Sequence, residues 1–151
     1  MSERNRWIGV DALNDDSETT GIQVALVNQA SLILEADETV KFDTVIHQMG
    51  KGIRYYEESG EFMFAQPGDY KLHWQVATDG TQMLRFVTFG IKINGAAYHD
   101  FALPVTTGLL ASDAIFSTTS PCTVVEFYNK TKDQVRLSRH SPNANLVITR
   151  M

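Results

Sequence analysis

The stretch Gly60-Glu61-Phe62-Met63-Phe64-Ala65-Gln66-Pro67-Gly68-Asp69-Tyr70-Lys71-Leu72-His73-Trp74-Gln75-Val76 alternates apolar and polar residues on both sides of a Pro-Gly break. Alternation with a period of two puts Tyr70, Leu72, Trp74 and Val76 on one face of a strand and Lys71, His73 and Gln75 on the other. A strand of this kind buries one side and wets the other, as in an antiparallel sheet with one solvated face. Val87, Phe89, Ile91 and Ile93 repeat the pattern, and Asn94-Gly95 directly after them supplies the positive φ values of a type I′ hairpin. Burying each large apolar side chain contributes roughly 1.5–3 kcal/mol, so these two strands are expected to form the centre of the core.

Working outward, short apolar segments recur at 22–27, 32–34, 39–46, 61–64, 69–77, 84–93, 98–101, 114–117, 122–128, 134–138 and 145–150, separated by Gly, Asn, Asp and Pro. Almost no window has a helical period, and so many short strands predict an all-β, two-sheet sandwich. Residues 1–20 are polar and acidic around Trp7-Ile8 and read as an N-terminal arm, with Trp7 as its anchor or as a ligand-stacking ring; residues 21–151 read as one head domain. A chain of 151 residues with 43% hydrophobic content is long enough for one such core.

Charge and cysteine content narrow the function classes. Thirteen Lys and Arg stand against 18 Asp and Glu, with 11 of the acidic residues in 1–60, so a nucleic-acid or anionic-membrane surface is not expected. Cys122 is the only cysteine, which leaves packing to hold the fold, and its place in Cys122-Thr123-Val124-Val125-Glu126-Phe127 predicts a buried or half-buried thiol in a strand. No apolar run is long enough for a membrane helix, and the first 20 residues show no export signal.

Catalytic patterns are sparse. His47, His73, His99 and His140 lie far apart, without the His-x-His pair that presents two imidazoles from one strand face. Acidic groups at Asp15-Asp16, Glu35-x-Asp37-Glu38 and Glu57-Glu58 read as solvated charge, with calcium ligation in loops as the functional alternative. No nucleophile elbow, phosphate loop or Cys-x-x-Cys pair occurs, so no enzyme is expected. Asn129-Lys130-Thr131 matches the glycosylation acceptor pattern, which has meaning only in a eukaryotic secretory route.

Several apolar residues fall on the outward face of their strands: Phe86 with Thr88, Gly90 and Lys92, and Val124 and Tyr128 with Cys122 and Glu126. Either loops cover both faces there, or Phe86, Val124 and Tyr128 form a subunit interface, where aromatic residues dominate the buried centre.

The string Phe42-x-x-Val45, Tyr55, Gly60, Phe62, Gly68, Tyr70, Leu72 and Trp74 resembles the signature of the tumour necrosis factor and complement-component-1q globular head superfamily. Ile91-Lys92-Ile93-Asn94-Gly95 and Lys132-Asp133-Gln134-Val135-Arg136-Leu137 are similar to further segments of that family, and 145–151 is similar to the ends of its bacterial members. Gln48 in place of the usual Asn, a longer segment at 50–54 and Lys132 in place of a turn Gly resemble the bacterial branch, which includes heads of collagen-like spore-surface and exosporium proteins. The resemblance implies a ten-stranded jelly roll assembling as a compact homotrimer. No Gly-X-Y stalk is present in the sequence.

The resemblance points to a non-enzymatic, self-trimerising head on a bacterial cell or spore surface, with loops at 78–83 and 104–113 as its contact surface and without cofactor. The alternative is a carbohydrate-binding jelly roll or a phage receptor-binding tip, in which Tyr56, Tyr98 and His99 would contact a surface glycan or protein ligand.

Overall fold

The computed structural model describes residues 19–79, 86–103, 108–119 and 121–151. In chain order the strands are β1 (Gly21–Leu26), β2 (Ile33–Leu34), β3 (Thr44–Met49), β4 (Ile53–Tyr56), β5 (Glu61–Phe64), β6 (Gly68–Thr78), β7 (Val87–Ile93), β8 (Ala96–Leu103), β9 (Gly108–Thr118), β10 (Thr123–Asn129), β11 (Val135–Arg136) and β12 (Ala144–Arg150). They form one five-stranded sheet in the order β3-β1-β12-β6-β9, a second in the order β4-β5-β10-β7-β8, and a small β11-β2 ribbon. Every pairing is antiparallel, and the described residues contain no helix.

The core lies between the two large sheets and is built from the alternating residues. Tyr70, Leu72, Trp74 and Val76 of β6 are buried, as are Val87, Phe89 and Ile91 of β7 facing them. Trp74 packs against Phe89, Phe101 and Phe127 at centroid separations of 5.4, 5.4 and 5.3 Å, so one indole touches three strands of the opposite sheet. Phe64, Tyr70 and Phe116 form a second cluster towards one end, with ring centroids 4.6–5.9 Å apart. Tyr55 lies 4.7 Å from Phe62 and donates its hydroxyl to the Phe42 carbonyl at 2.8 Å. Burial raises its phenol well above the ordinary value, which keeps it a donor.

Gly60 has φ +78, and a Cβ there would meet Thr39 and the Val40 carbonyl at 2.8 Å, so the turn into β5 needs glycine twice over. Asn94 and Gly95 have φ 52 and 82, the hairpin geometry linking β7 to β8.

Four local readings of the sequence are corrected. The span 39–46 is not one strand: Thr39 bridges Tyr128 of β10, whereas Thr44 pairs with Ala25 of β1, so the chain crosses between sheets in between. Asp43 holds that crossing, accepting the Val27 and Asn28 N–H groups at 2.9 Å and the Thr44 hydroxyl at 2.8 Å. β4, between Gly52 and the Glu57-Glu58 turn, read as loop because its flanking glycines masked a four-residue strand. The span 108–113 is strand: β9 pairs with β6 from Gly108↔Thr78 to Thr118↔Gly68. Cys122 is exposed at φ 65, in the turn before β10.

Asn129 is fully buried at the end of β10. Its Nδ2 donates towards the carbonyls of Leu34, Glu35 and Asp133 at 3.2, 3.0 and 3.1 Å, and its Oδ1 accepts the Thr131 N–H at 2.9 Å. Two amide hydrogens thus serve three carbonyls and tie the 34–35 segment to the 129–133 turn.

Two outcomes follow from these polar anchors. Asn129→Ala should destabilise the fold by about 1–3 kcal/mol, read as a lower urea midpoint at unchanged m-value, because buried carbonyls lose their donor. Asp43 is raised by burial, but its hydrogen bonds outweigh that and hold it below 3.8, so its contribution is present above the unfolded carboxyl value and lost as pH falls through the folded one. Asp43→Asn should therefore lower the melting temperature at pH 7, and the gap to the parent chain should close on acidification below pH 3.8.

Candidate functional site

The two sheets present different outer faces. On the β4-β5-β10-β7-β8 sheet, Tyr56, Glu61, Glu126 and Lys92 form one cross-strand row. Lys130 pairs with Asp100 at 2.8 Å nearby. Charges at this density mark a solvated surface.

The β3-β1-β12-β6-β9 sheet is charge-poor at its centre. The outward positions of β1 are Gly21, Gln23 and Ala25, and those of β12 are Asn145, Val147 and Thr149. Gln23 Nε2 donates to Asn145 Oδ1 at 2.9 Å across this face. Register aligns Gln23, Val147, His73 and Asp113 in one row, and Ala25, Asn145, Gln75 and Ala111 in the next. Charged groups return towards the β9 margin, where His73 Nδ1 lies 2.6 Å from Asp113 Oδ1. Exposed apolar side chains flank both edges: Val45 and Ile46 on β3, Leu109 and Ile115 on β9.

Between the free edges of β8 and β9 lies a cleft of about 710 Å³ lined by Lys71, Tyr98, His99, Asp113, Ala114 and Ile115. A register shift in the β7-β8 ladder, from Ile91↔His99 to Lys92↔Ala97, leaves Tyr98 as a bulged residue. Bulges re-aim side chains, and this one carries the Tyr98 hydroxyl to the Ile115 carbonyl at 3.1 Å. The Tyr98 ring meets Phe116 edge-on at 6.4 Å and is 50% exposed. His99 packs edge-on against Phe101 at 4.8 Å.

Of the residues read from the sequence as ligand contacts, the fold brings Tyr98 and His99 together and leaves Tyr56 apart. Tyr56 sits on β4, the opposite edge of the same sheet, in a cleft with Glu57, Glu58 and Glu61. The signature residues Phe42, Phe62, Tyr70, Leu72 and Trp74 lie in the core, with Gly60 at the entry to β5 and Gly68 at the start of β6.

Phe86, Val124 and Tyr128 do not form an exposed cluster. Tyr128 is 2% exposed, because its ring lies over Gly90, where a Cβ would come within 2.8 Å of it, and under the Lys92 ammonium at 4.4 Å. Val124, partly buried, hydrogen-bonds to Asn94 beyond one end of β7, whereas Phe86, 55% exposed, precedes its other end. Val45 of the signature string is 47% exposed on β3 rather than in the core, and the sequence reading singles out none of the exposed Ile46, Leu109 and Ile115, although the odd–even pattern of Leu109, Ala111 and Ile115 carried the signal. His47, His73 and His99 sit on three different strands and His140 in the connection before β12, and among the described residues no three His, Cys, Asp or Glu side chains group to hold a metal. Residues 1–18, with Trp7 and Asp15-Asp16, and the loop positions 80–83 and 104–107 lie outside the described residues.

No protein-family model and no curated protein matches the sequence. Solved structures do match. Murine APRIL superposes with a TM-score of 0.63 at 13% identity, covering 89% of this chain and 100% of that one. The Eiger TNF from S. frugiperda reaches 0.67 at 7% identity, covering 89% and 93%. The PRD1 vertex protein reaches 0.62 at 11% identity, covering 89% and 99%. The shared strand architecture, over nearly the whole described head, gives this chain the tumour-necrosis-factor-like jelly-roll fold.

Proposed function

We propose that the chain is a non-enzymatic head domain that assembles with two copies of itself and acts as a structural or recognition module at a bacterial cell or spore surface. The observation that carries the assembly is the contrast between the two outer faces. The centres of protein interfaces are depleted in charge, and β1 and β12 present no charged outward side chain between their ends. The small, exposed Ala111 on β9 lets a second surface approach closely there.

The exposed apolar residues also support cyclic closure. Val45 and Ile46 lie on one edge of this sheet and Leu109 on the other, at the end of β9 away from Ile115, so a contact joining unlike edges runs head to tail and closes into a ring when the rotation allows. Three copies is the number implied by the superfamily resemblance. The surface placement draws on the bacterial character of the sequence resemblance. A second reading, a receptor-binding tip of a phage, draws on the likeness to the PRD1 vertex protein. Both readings use the same assembled head.

Light scattering should give three times the 16.9 kDa chain mass. Val147→Asp and Ala111→Arg should reduce it to one chain mass with the β-sheet circular dichroism retained, while Phe86→Asp should leave it unchanged. Dissociation by Phe86→Asp alone would move the interface to the other sheet. The head is assigned no cofactor, and millimolar calcium should leave its melting temperature unchanged; a rise would assign a cation site to the acidic loops.

A further inference from the structure

The edge cleft has the chemistry of a ligand site and differs from the assembly face beside it. Its margin carries Lys71, Asp113 and His99, whereas the neighbouring outward positions of β1 and β12 carry no charge between the strand ends. An interface centre excludes such groups; a site for a polar small molecule uses a few of them around an apolar surface.

Tyr98 supplies that surface. Its hydroxyl is tied to the β9 carbonyl of Ile115 and its ring edge to Phe116, so it is held in place with half its area open. A ring fixed before binding loses little rotamer entropy when a ligand stacks on it. Asp113 is likewise oriented in advance by His73 at 2.6 Å, and a carboxylate accepts stronger hydrogen bonds from hydroxyls than a neutral group does. Lys71, cross-strand partner of Ile115, adds a charged donor on the same side.

We propose that this cleft binds a pyranose, the terminal sugar of a surface glycan, with the C–H face of the ring on Tyr98 and its hydroxyls shared among Asp113, Lys71 and His99. A pyranose matches the site because one molecule offers both an apolar face and a rim of donors and acceptors. The cleft volume of about 710 Å³ lies in the range of small-molecule sites and accommodates one or two sugar units. The inference goes beyond the proposed trimer and does not depend on it, since all the lining residues come from one chain.

The test is a printed array of neutral and acidic pyranosides probed with the full chain, followed by titration of the strongest glycan against variants. Tyr98→Ala should weaken binding by about tenfold or more, and Asp113→Asn should weaken it as well, with the light-scattering mass and β-sheet circular dichroism of both variants unchanged. Tyr98→Phe, which keeps the ring and loses the Ile115 anchor, should retain part of the affinity. An array without binding overturns the proposal, as does binding that survives Tyr98→Ala. A Tyr98→Ala variant that changes mass instead overturns it by making the cleft an assembly contact, a result that leaves the trimer standing.

Discussion

The rest of the structure depends on the insertion of Trp74 between Phe89, Phe101 and Phe127. Those three rings come from β7, β8 and β10, so a single side chain of the first sheet sets its spacing and register against three strands of the second. Packed sheets sit about 10 Å apart, and aromatic side chains meeting at 5.2–5.4 Å between centroids span that gap. Packing against these three rings holds the indole in place. Because inward positions along β6, β7 and β10 are committed to this layer, only the outward positions are left to differ.

They differ in a way that sorts tasks by location. The second sheet carries the Tyr56, Glu61, Glu126 and Lys92 row on its outer face. The first is neutral along β1 and β12, then becomes charged and aromatic at the β9 margin, where the free edges of both sheets meet. Edge strands expose unpaired backbone groups that would otherwise recruit other strands. Here Tyr98 caps one of them, the Ile115 carbonyl, and the bulge that aims it interrupts the β8 ladder. Edge protection and a preformed cleft come from the same residue.

The core was legible in the sequence because strict alternation has only one reading: Tyr70, Leu72, Trp74, Val76, Val87, Phe89 and Ile91 face inward as their spacing requires. The Asn94-Gly95 turn was legible for the same reason, since its backbone demands those residue types. What escaped were features set by side chains meeting from distant segments. Tyr128 falls on an outward position yet is buried, because Gly90 on the neighbouring strand leaves room for its ring and Lys92 covers it. The span 39–46 is apolar enough for a strand, but the Asp43 carboxylate draws in the 27–28 turn and diverts the chain to the other sheet. Tyr98 and His99 could be picked out as exposed aromatics; that Lys71, Asp113 and Ile115 stand beside them follows only from the β6-β9 register.

The knot of hydrogen bonds around Asn129 has a practical corollary. That asparagine is the acceptor of an Asn-x-Thr triplet, and a sugar tree on its Nδ2 would replace a donor and occupy space that the backbone at 34–35 and at 133 fills. A chain routed through the secretory pathway of a eukaryotic host would meet the modifying enzyme while still unfolded, and any molecule tagged there would be barred from its native state. Any compartment without that transferase, the bacterial cytoplasm among them, is a production route compatible with this fold.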